Sequence, residues 1–168
     1  GDSTVIYAST KKISRTIRKR VCRQNMQPYL ELYSGKVSSD GGINDSENFS
    51  DKINTRYHES NLAFTKDLKT VYFSANNYNQ EKKLKRAEEG KDKGWALIQL
   101  YKGTVEDNGE WSNITPMPFN NDNYQTGHPS LNNAENKLYF TSDMIGGYGM
   151  TDIYVVNINE DGTYEEPE

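Results

Sequence analysis

The feature that most constrains this chain is an internal repeat. Leu62 to Ala75 (LAFTKDLKTVYFSA) lies over Pro129 to Ser142 (PSLNNAENKLYFTS) without a gap, and Tyr72-Phe73 falls 67 residues before Tyr139-Phe140. The start of the chain, Thr4 to Ser9 (TVIYAS), fits Thr70 to Ala75 at an offset of 66. A further motif recurs as LELYSGKV (Leu30 to Val37), IQLYKGTV (Ile98 to Val105) and TDIYVVNI (Thr151 to Ile158). A glycine-bearing turn and an aromatic follow it, as Glu106-Asp107-Asn108-Gly109 with Trp111 and as Asn159-Glu160-Asp161-Gly162 with Tyr164. Agreement at successive strand positions argues against one chance duplication. A unit that recurs at tens of residues cannot bury its own apolar face, so neighbouring units must stack to form the core.

Short β-branched and aromatic runs, about four per unit, are the pattern of β-propeller blades built as antiparallel meanders. The expectation is an all-β fold holding about two and a half blades of a larger propeller, since closed propellers have roughly 4–8. Blade boundaries are expected at 1–57 (part of a blade), 58–127 and 128–168 (part of a blade). Consecutive connections of a meander fall at alternate ends of the sheet. Lys66 to Lys69, Asn132 to Asn136, Glu106 to Gly109 and Asn159 to Gly162 read as tight turns, where Asn, Asp and Gly are favoured. The connections between second and third strands, Thr10 to Pro28, Asn76 to Trp95 and Asp143 to Met150, are longer and unlike one another. One face is therefore plain and the other elaborated, and binding residues concentrate on loops carried by a rigid scaffold.

Two of the long inserts are basic. Thr10 to Met26 carries seven Lys or Arg and no acid, with Ile13, Ile17 and Val21 at helical spacing. Such a segment packs its apolar stripe on the scaffold, docks a partner or lies on an anionic surface. Asn76 to Gly94 holds six cations against four acids. The residues expected to contact a protein partner are Arg15, Arg18, Lys19, Arg20 and Arg23 in the first insert and Lys82, Lys83, Lys85 and Arg86 in the second, with Tyr124 and Tyr148 on other loops. Arginine and aromatics dominate protein interfaces.

Composition supports binding over catalysis. A net charge of -4 argues against a dedicated nucleic-acid partner. The hydrophobic share is 33%, and the 12 tyrosines within it supply much of the strand-facing apolar surface. No apolar run approaches the roughly 20 residues of a membrane span. No secretory signal pattern is present, which is expected if a leader has been removed or lies upstream. Cys22 is the single cysteine, so an internal disulfide and a cysteine-based zinc site are excluded; its arginine-rich setting favours the thiolate, without a catalytic partner pattern beside it. Phe119 to Gly127 offers Asn and Asp oxygens but no calcium-loop spacing. His58 and His128 read as tethers near inner strands, and Asp143 and Asp152 flank a glycine corner at Gly146, Gly147 and Gly149. Asp107 to Trp111 is one residue short of a sialidase-type Asp-box. The chain has no G-x-S-x-G, no H-E-x-x-H and no phosphate-cradling glycine loop before a helix. We expect no enzyme activity, no metal and no cofactor.

His128 to Tyr154 (HPSLNNAENKLYFTSDMIGGYGMTDIY) with Asn159 to Glu168 resembles the WD-like β-propeller repeats of bacterial OmpA-family envelope proteins, whose blades run H-P-S-L-S-P-D-G-K-x-L-Y-F-x-S-D-x-P-G-G-x-G-G-x-D-I-Y. Asn132-Asn133-Ala134-Glu135 replaces S-P-D-G and Met150 replaces the second corner glycine. The resemblance covers nearly all of Ser60 to Glu168, more weakly Thr4 to Ser9 and Tyr29 to Thr55, and not the inserts. It implies a periplasmic lipoprotein attached to the outer membrane, with envelope or secretion-system proteins as partners. PorE-like proteins of type IX secretion and gliding are similar in organisation, and contact with peptidoglycan would run through a flanking OmpA-like domain absent from these residues. TolB-type propellers, the gating propellers of hydrolases, and glycan- or calcium-binding propellers are the alternatives.

Overall fold

The computed structural model describes residues 4–10, 26–50, 53–54, 58–76 and 97–168. These residues form strands β1 (Thr4–Ser9), β2 (Glu31–Val37), β3 (Ile43–Asn48), β4 (Glu59–Phe64), β5 (Thr70–Asn76), β6 (Ile98–Val105), β7 (Trp111–Pro116), β8 (Thr126–Leu131), β9 (Lys137–Ser142) and β10 (Asp152–Asn157), with no helix among them. The strands pair in sequence order into three sheets, β1-β2-β3, β4-β5-β6-β7 and β8-β9-β10. Each connection is a simple up-and-down step, as antiparallel neighbours allow. The chain divides into two compact units, Gly1–Asn61 and Leu62–Glu168.

In the first unit, β1 and β2 pair with Tyr7 opposite Tyr33. The two rings stack at 5.9 Å and 30°. Alternation places Leu32 on the other face, where it is fully buried. The side-chain amide of Asn54 caps the same residue, accepting from the Leu32 N–H at 2.7 Å and donating to its carbonyl at 2.8 Å. The β2–β3 turn closes through Ser38 N–H to Gly42 O at 2.8 Å and Gly41 N–H to Ser38 O at 2.9 Å. Gly41 has φ +83°, a conformation that a Cβ disfavours.

The second unit repeats these devices. Phe73 stands opposite Tyr101 in the β5–β6 ladder and Phe140 opposite Tyr154 in the β9–β10 ladder. Their rings stack at 5.7 Å and 28° and at 5.9 Å and 23°. Tyr7, Phe73 and Phe140, aligned by sequence, therefore hold matching sites in the three sheets. Asn120 caps Leu100 as Asn54 caps Leu32, through Leu100 N–H at 3.2 Å and Leu100 O at 2.6 Å. The β2–β3 ladder slips between Ser34 and Lys36, and the β6–β7 ladder slips between Lys102 and Thr104. Left-handed backbone recurs in register: Asn61 and His128, Leu68 and Glu135, Asp45 and Asn113, and Gly41, Gly109 and Gly162. The repeat thus extends from side chains to dihedral angles.

Sheets β4–β7 and β8–β10 pack face to face around one core. Tyr72, Leu100, Met117, Leu138, Phe140, Tyr154 and Val156 are buried together, flanked by Ala63, Phe119, Leu131 and Tyr164. Phe119 stacks on Phe140 at 4.5 Å. Polar groups tie the margins: Ser74 Oγ accepts from the His128 N–H at 2.9 Å, the hydroxyls of Tyr72 and Tyr164 lie 2.9 Å apart, and Lys66 donates to the Glu135 carboxylate and, through Nζ, to the Asn133 carbonyl at 2.7 Å. The two part-buried bonds, Ser74–His128 and Tyr72–Tyr164, would leave polar groups unpaired at about 1–3 kcal/mol each if the sheets slipped, so they favour one docking register.

The edges of the third sheet add two details. β8 begins at Thr126, so the boundary placed between 127 and 128 cuts a strand. Thr126 pairs with Ser142 and Gly127 with Thr141, which extends the sheet into a stretch whose composition reads as a turn. Beyond the Asn159–Gly162 turn, Tyr164 bridges Ile158, the Glu165 N–H donates to Asn157 O, and Glu168 exchanges both backbone bonds with Val155. The last residues thus run along β10 in the register β7 takes along β6, though only as an isolated bridge.

Candidate interaction surface

The basic residues singled out from the sequence, Arg15, Arg18, Lys19, Arg20, Arg23, Lys82, Lys83, Lys85 and Arg86, lie outside the described residues. So do Cys22 and the helical spacing of Ile13, Ile17 and Val21. The two tyrosines are described, and they behave differently.

Tyr124 is half-buried and donates its hydroxyl to the Phe119 carbonyl at 2.8 Å. Burial, with the Glu166 carboxylate nearby, pushes its pKa up. That bond ties the ring to the β7–β8 connection. Tyr148 is fully exposed at the tip of the β9–β10 corner.

That corner is pinned from below. The Asp152 carboxylate accepts from the Gly149 N–H at 2.9 Å, and the Tyr154 hydroxyl donates to the Met144 carbonyl at 3.0 Å. A Cβ at Gly147 would overlap Asp152 and press on the Tyr154 hydroxyl, and Gly146 has φ +116°, so both positions require glycine. Asp143 accepts from the Gln125 N–H, fixing the other flank at 2.5 Å. Asp143 and Asp152 are therefore structural anchors of the corner.

On this base stand three fully exposed apolar side chains, Ile145, Tyr148 and Met150. Ile153, 75% exposed, and Tyr139, 38% exposed, are also accessible on the β9–β10 ladder. Water-facing apolar clusters on a fixed backbone mark interaction sites. The reading from sequence named Tyr148 and did not name Ile145, Met150 or Ile153, which are exposed as well. The signal was available for Ile153: in TDIYVV, alternation puts Tyr154 and Val156 inside and Ile153 outside.

The remaining candidates hold structure together. His58 Nδ1 accepts from the Leu30 N–H at 3.1 Å, and its ring meets Tyr29 edge-on at 4.8 Å. Burial lowers its pKa, which keeps the imidazole neutral. His128 is exposed, with Nδ1 2.9 Å from Thr141 Oγ1. No group of three or more His, Cys, Asp or Glu side chains suited to a metal ion occurs among the described residues. No described helix is long and apolar enough to cross a membrane.

Comparison with protein-family models returns no match, and comparison with curated proteins returns none either.

Proposed function

We propose that the three sheets are blades of a β-propeller segment that serves as a non-enzymatic protein-interaction scaffold. The observation that carries this reading is the pinned corner 143–151, which holds Ile145, Tyr148 and Met150 in water on a backbone fixed by Asp152, Gly147 and Tyr154. The recurrence of one stacked aromatic pair at one register in each sheet supports the blade assignment. The setting we propose is the periplasm, in a lipoprotein of the outer membrane that joins a secretion or gliding apparatus to peptidoglycan, and it rests on the resemblance of His128 to Tyr154 to envelope repeats. The basic residues of the two inserts extend the contact surface in this reading. Binding energy would come from apolar burial at the corner, about 25 cal/mol per Å² removed from water.

The test is site-specific photo-crosslinking in envelope preparations, with the photoreactive group at position 148 and, as control, at position 161 on the opposite end of β10. A discrete adduct from 148 and none from 161 is expected. Equal labelling at both positions refutes a directional docking face.

A further inference from the structure

In each sheet the third-strand tyrosine of the stacked pair, Tyr33, Tyr101 or Tyr154, follows an aliphatic residue, Leu32, Leu100 or Ile153. Two of these three residues are closed off at the outer edge of their strand in the same way. The side-chain amide of Asn54 accepts from the Leu32 N–H at 2.7 Å and donates to the Leu32 carbonyl at 2.8 Å, and that carbonyl also takes the Phe49 N–H at 3.0 Å. Asn120 brackets Leu100 at 3.2 and 2.6 Å, and the Met117 N–H reaches the Leu100 carbonyl at 3.0 Å. An apolar residue stands directly before each asparagine: Ile53, which is buried, and Phe119, which stacks on Phe140. Leu32 and Leu100 are both 0% exposed.

Ile153 has the same edge without the cover. Successive residues of a strand direct their N–H and C=O groups to opposite edges. Val155 exchanges both backbone bonds with Glu168, and the Asn157 carbonyl takes the Glu165 N–H, so these residues face the edge away from β9. Ile153, two residues before Val155, presents its N–H and C=O to that same edge. Among the described residues none takes the part of Phe49 or Met117 there, and the Ile153 side chain is 75% exposed.

We infer that the β10 edge at Ile153 binds an extended segment of another protein, one in which an apolar residue directly precedes an asparagine whose amide brackets the Ile153 N–H and C=O. Strand edges are templates for pairing: main-chain bonds give affinity, and the side chains give specificity. The carboxamide is the selective group. It donates and accepts, and so matches a backbone N–H and C=O together, whereas a carboxylate only accepts. A second copy of this chain is not the occupant, because its Ile53-Asn54 and Phe119-Asn120 pairs are already engaged at Leu32 and Leu100. The proposal names a partner chemistry for the scaffold reading and rests on that reading for the occupant being a protein.

The experiment is an NMR titration of the isotope-labelled 168-residue chain with an acetylated, amidated hexapeptide, Pro-Met-Pro-Phe-Asn-Asn, which copies residues 116–121. A second peptide carries Asp in place of the first Asn. The expected result is a saturable shift of the Ile153 amide signal with the first peptide and binding weaker by about tenfold with the second, whose carboxylate leaves the Ile153 carbonyl without its donor. Ile153→Pro removes the outward N–H at an edge position that tolerates proline. It should weaken binding about as much, read on the Tyr154 amide, with a melting curve to confirm folding. If that variant does not fold, the comparison of the Asn and Asp peptides on the wild-type chain still decides. No saturable shift up to the solubility limit of the peptide overturns the inference. So does equal binding of the two peptides, and so does an Ile153 signal that moves with protein concentration alone, which would place a second copy at the edge. None of these failures changes the adduct expected from position 148, and a missing adduct leaves the titration intact, so the edge site and the scaffold reading fall separately.

Discussion

β5 and β9 carry almost the same sequence, TVYFSA and KLYFTS, and have almost the same geometry, yet they meet the solvent differently. Every residue of β5 from Val71 to Asn76 is buried, while β9 alternates buried Leu138, Phe140 and Ser142 with accessible Lys137, Tyr139 and Thr141. The local pattern fixes which side chains share a face. The β8–β10 sheet packed over Tyr72 and Leu100 is what makes that face dry. A tyrosine in a Leu/Val-Tyr-Phe triplet is thus a core residue in one sheet and a surface residue in the next, with no change in the strand itself.

Truncating the shared position should cost much the same in either strand. Phe73 and Phe140 are 0% and 1% exposed. Phe73→Ala and Phe140→Ala should each lower unfolding free energy by about 3–5 kcal/mol, measured by urea denaturation. A loss below about 1 kcal/mol at either site would show that its stacked pair contributes little to folding.

The neighbouring position should separate the strands. Tyr72→Ala removes a ring from the shared core and a hydroxyl partner of Tyr164, and a cost of about 3 kcal/mol is expected. Tyr139→Ala should stay within about 1 kcal/mol, as accessible substitutions do. Equal losses in denaturant would break the comparison, because they would require Tyr139 to be covered as Tyr72 is.

The same two strands show how much the sequence made legible. The aromatic pairs, the four tight turns and the strand alternation were legible because each follows from local chemistry repeated in register. The accessible apolar corner was not. Ile145 and Met150 look like core residues by composition, and only the bond from the Gly149 N–H to Asp152 and the close approach at Gly147 reveal a corner held outward. Tyr124 carries a bond that its polar stretch did not announce: the carbonyl that takes its hydroxyl belongs to Phe119, at the far side of the same connection. The start of β8 was hidden because Thr126 and Gly127 resemble a turn until Ser142 and Thr141 pair with them.

The tyrosine pair predicts a pH effect at the covered interface. Burial raises the pKa of both Tyr72 and Tyr164, and the hydroxyl contact between them raises that of Tyr164 further. The Lys102 ammonium lies 5.6 Å over the Tyr164 ring without reversing that direction. A folded-state pKa above the unfolded value means that stability is complete below the ordinary tyrosine pKa of 10.0 and declines as pH rises beyond it, because the unfolded chain then loses protons that the folded chain retains. Thermal melts from neutral pH to pH 11 should show this decline, and Tyr72→Phe with Tyr164→Phe should flatten it. A slope unchanged in the double variant would assign alkaline loss to other groups.

The smallest expected effect lies in the turns that precede the two strands. Leu68 and Glu135 occupy matching left-handed positions, φ +57° and +58°, where a side chain is strained by roughly 1 kcal/mol. Leu68 is 63% exposed, so Leu68→Gly should relieve the strain with little lost packing and stabilise by about 0.5 kcal/mol after the added flexibility of the unfolded chain is subtracted. Glu135→Gly relieves the same strain but deletes the carboxylate that accepts from the Lys66 N–H, and should be neutral or slightly destabilising. The sign difference between two substitutions at one turn position isolates what the second sheet adds to a geometry that the repeat already specifies. If both variants gain equally in denaturation midpoint, the Lys66–Glu135 contact contributes nothing to stability.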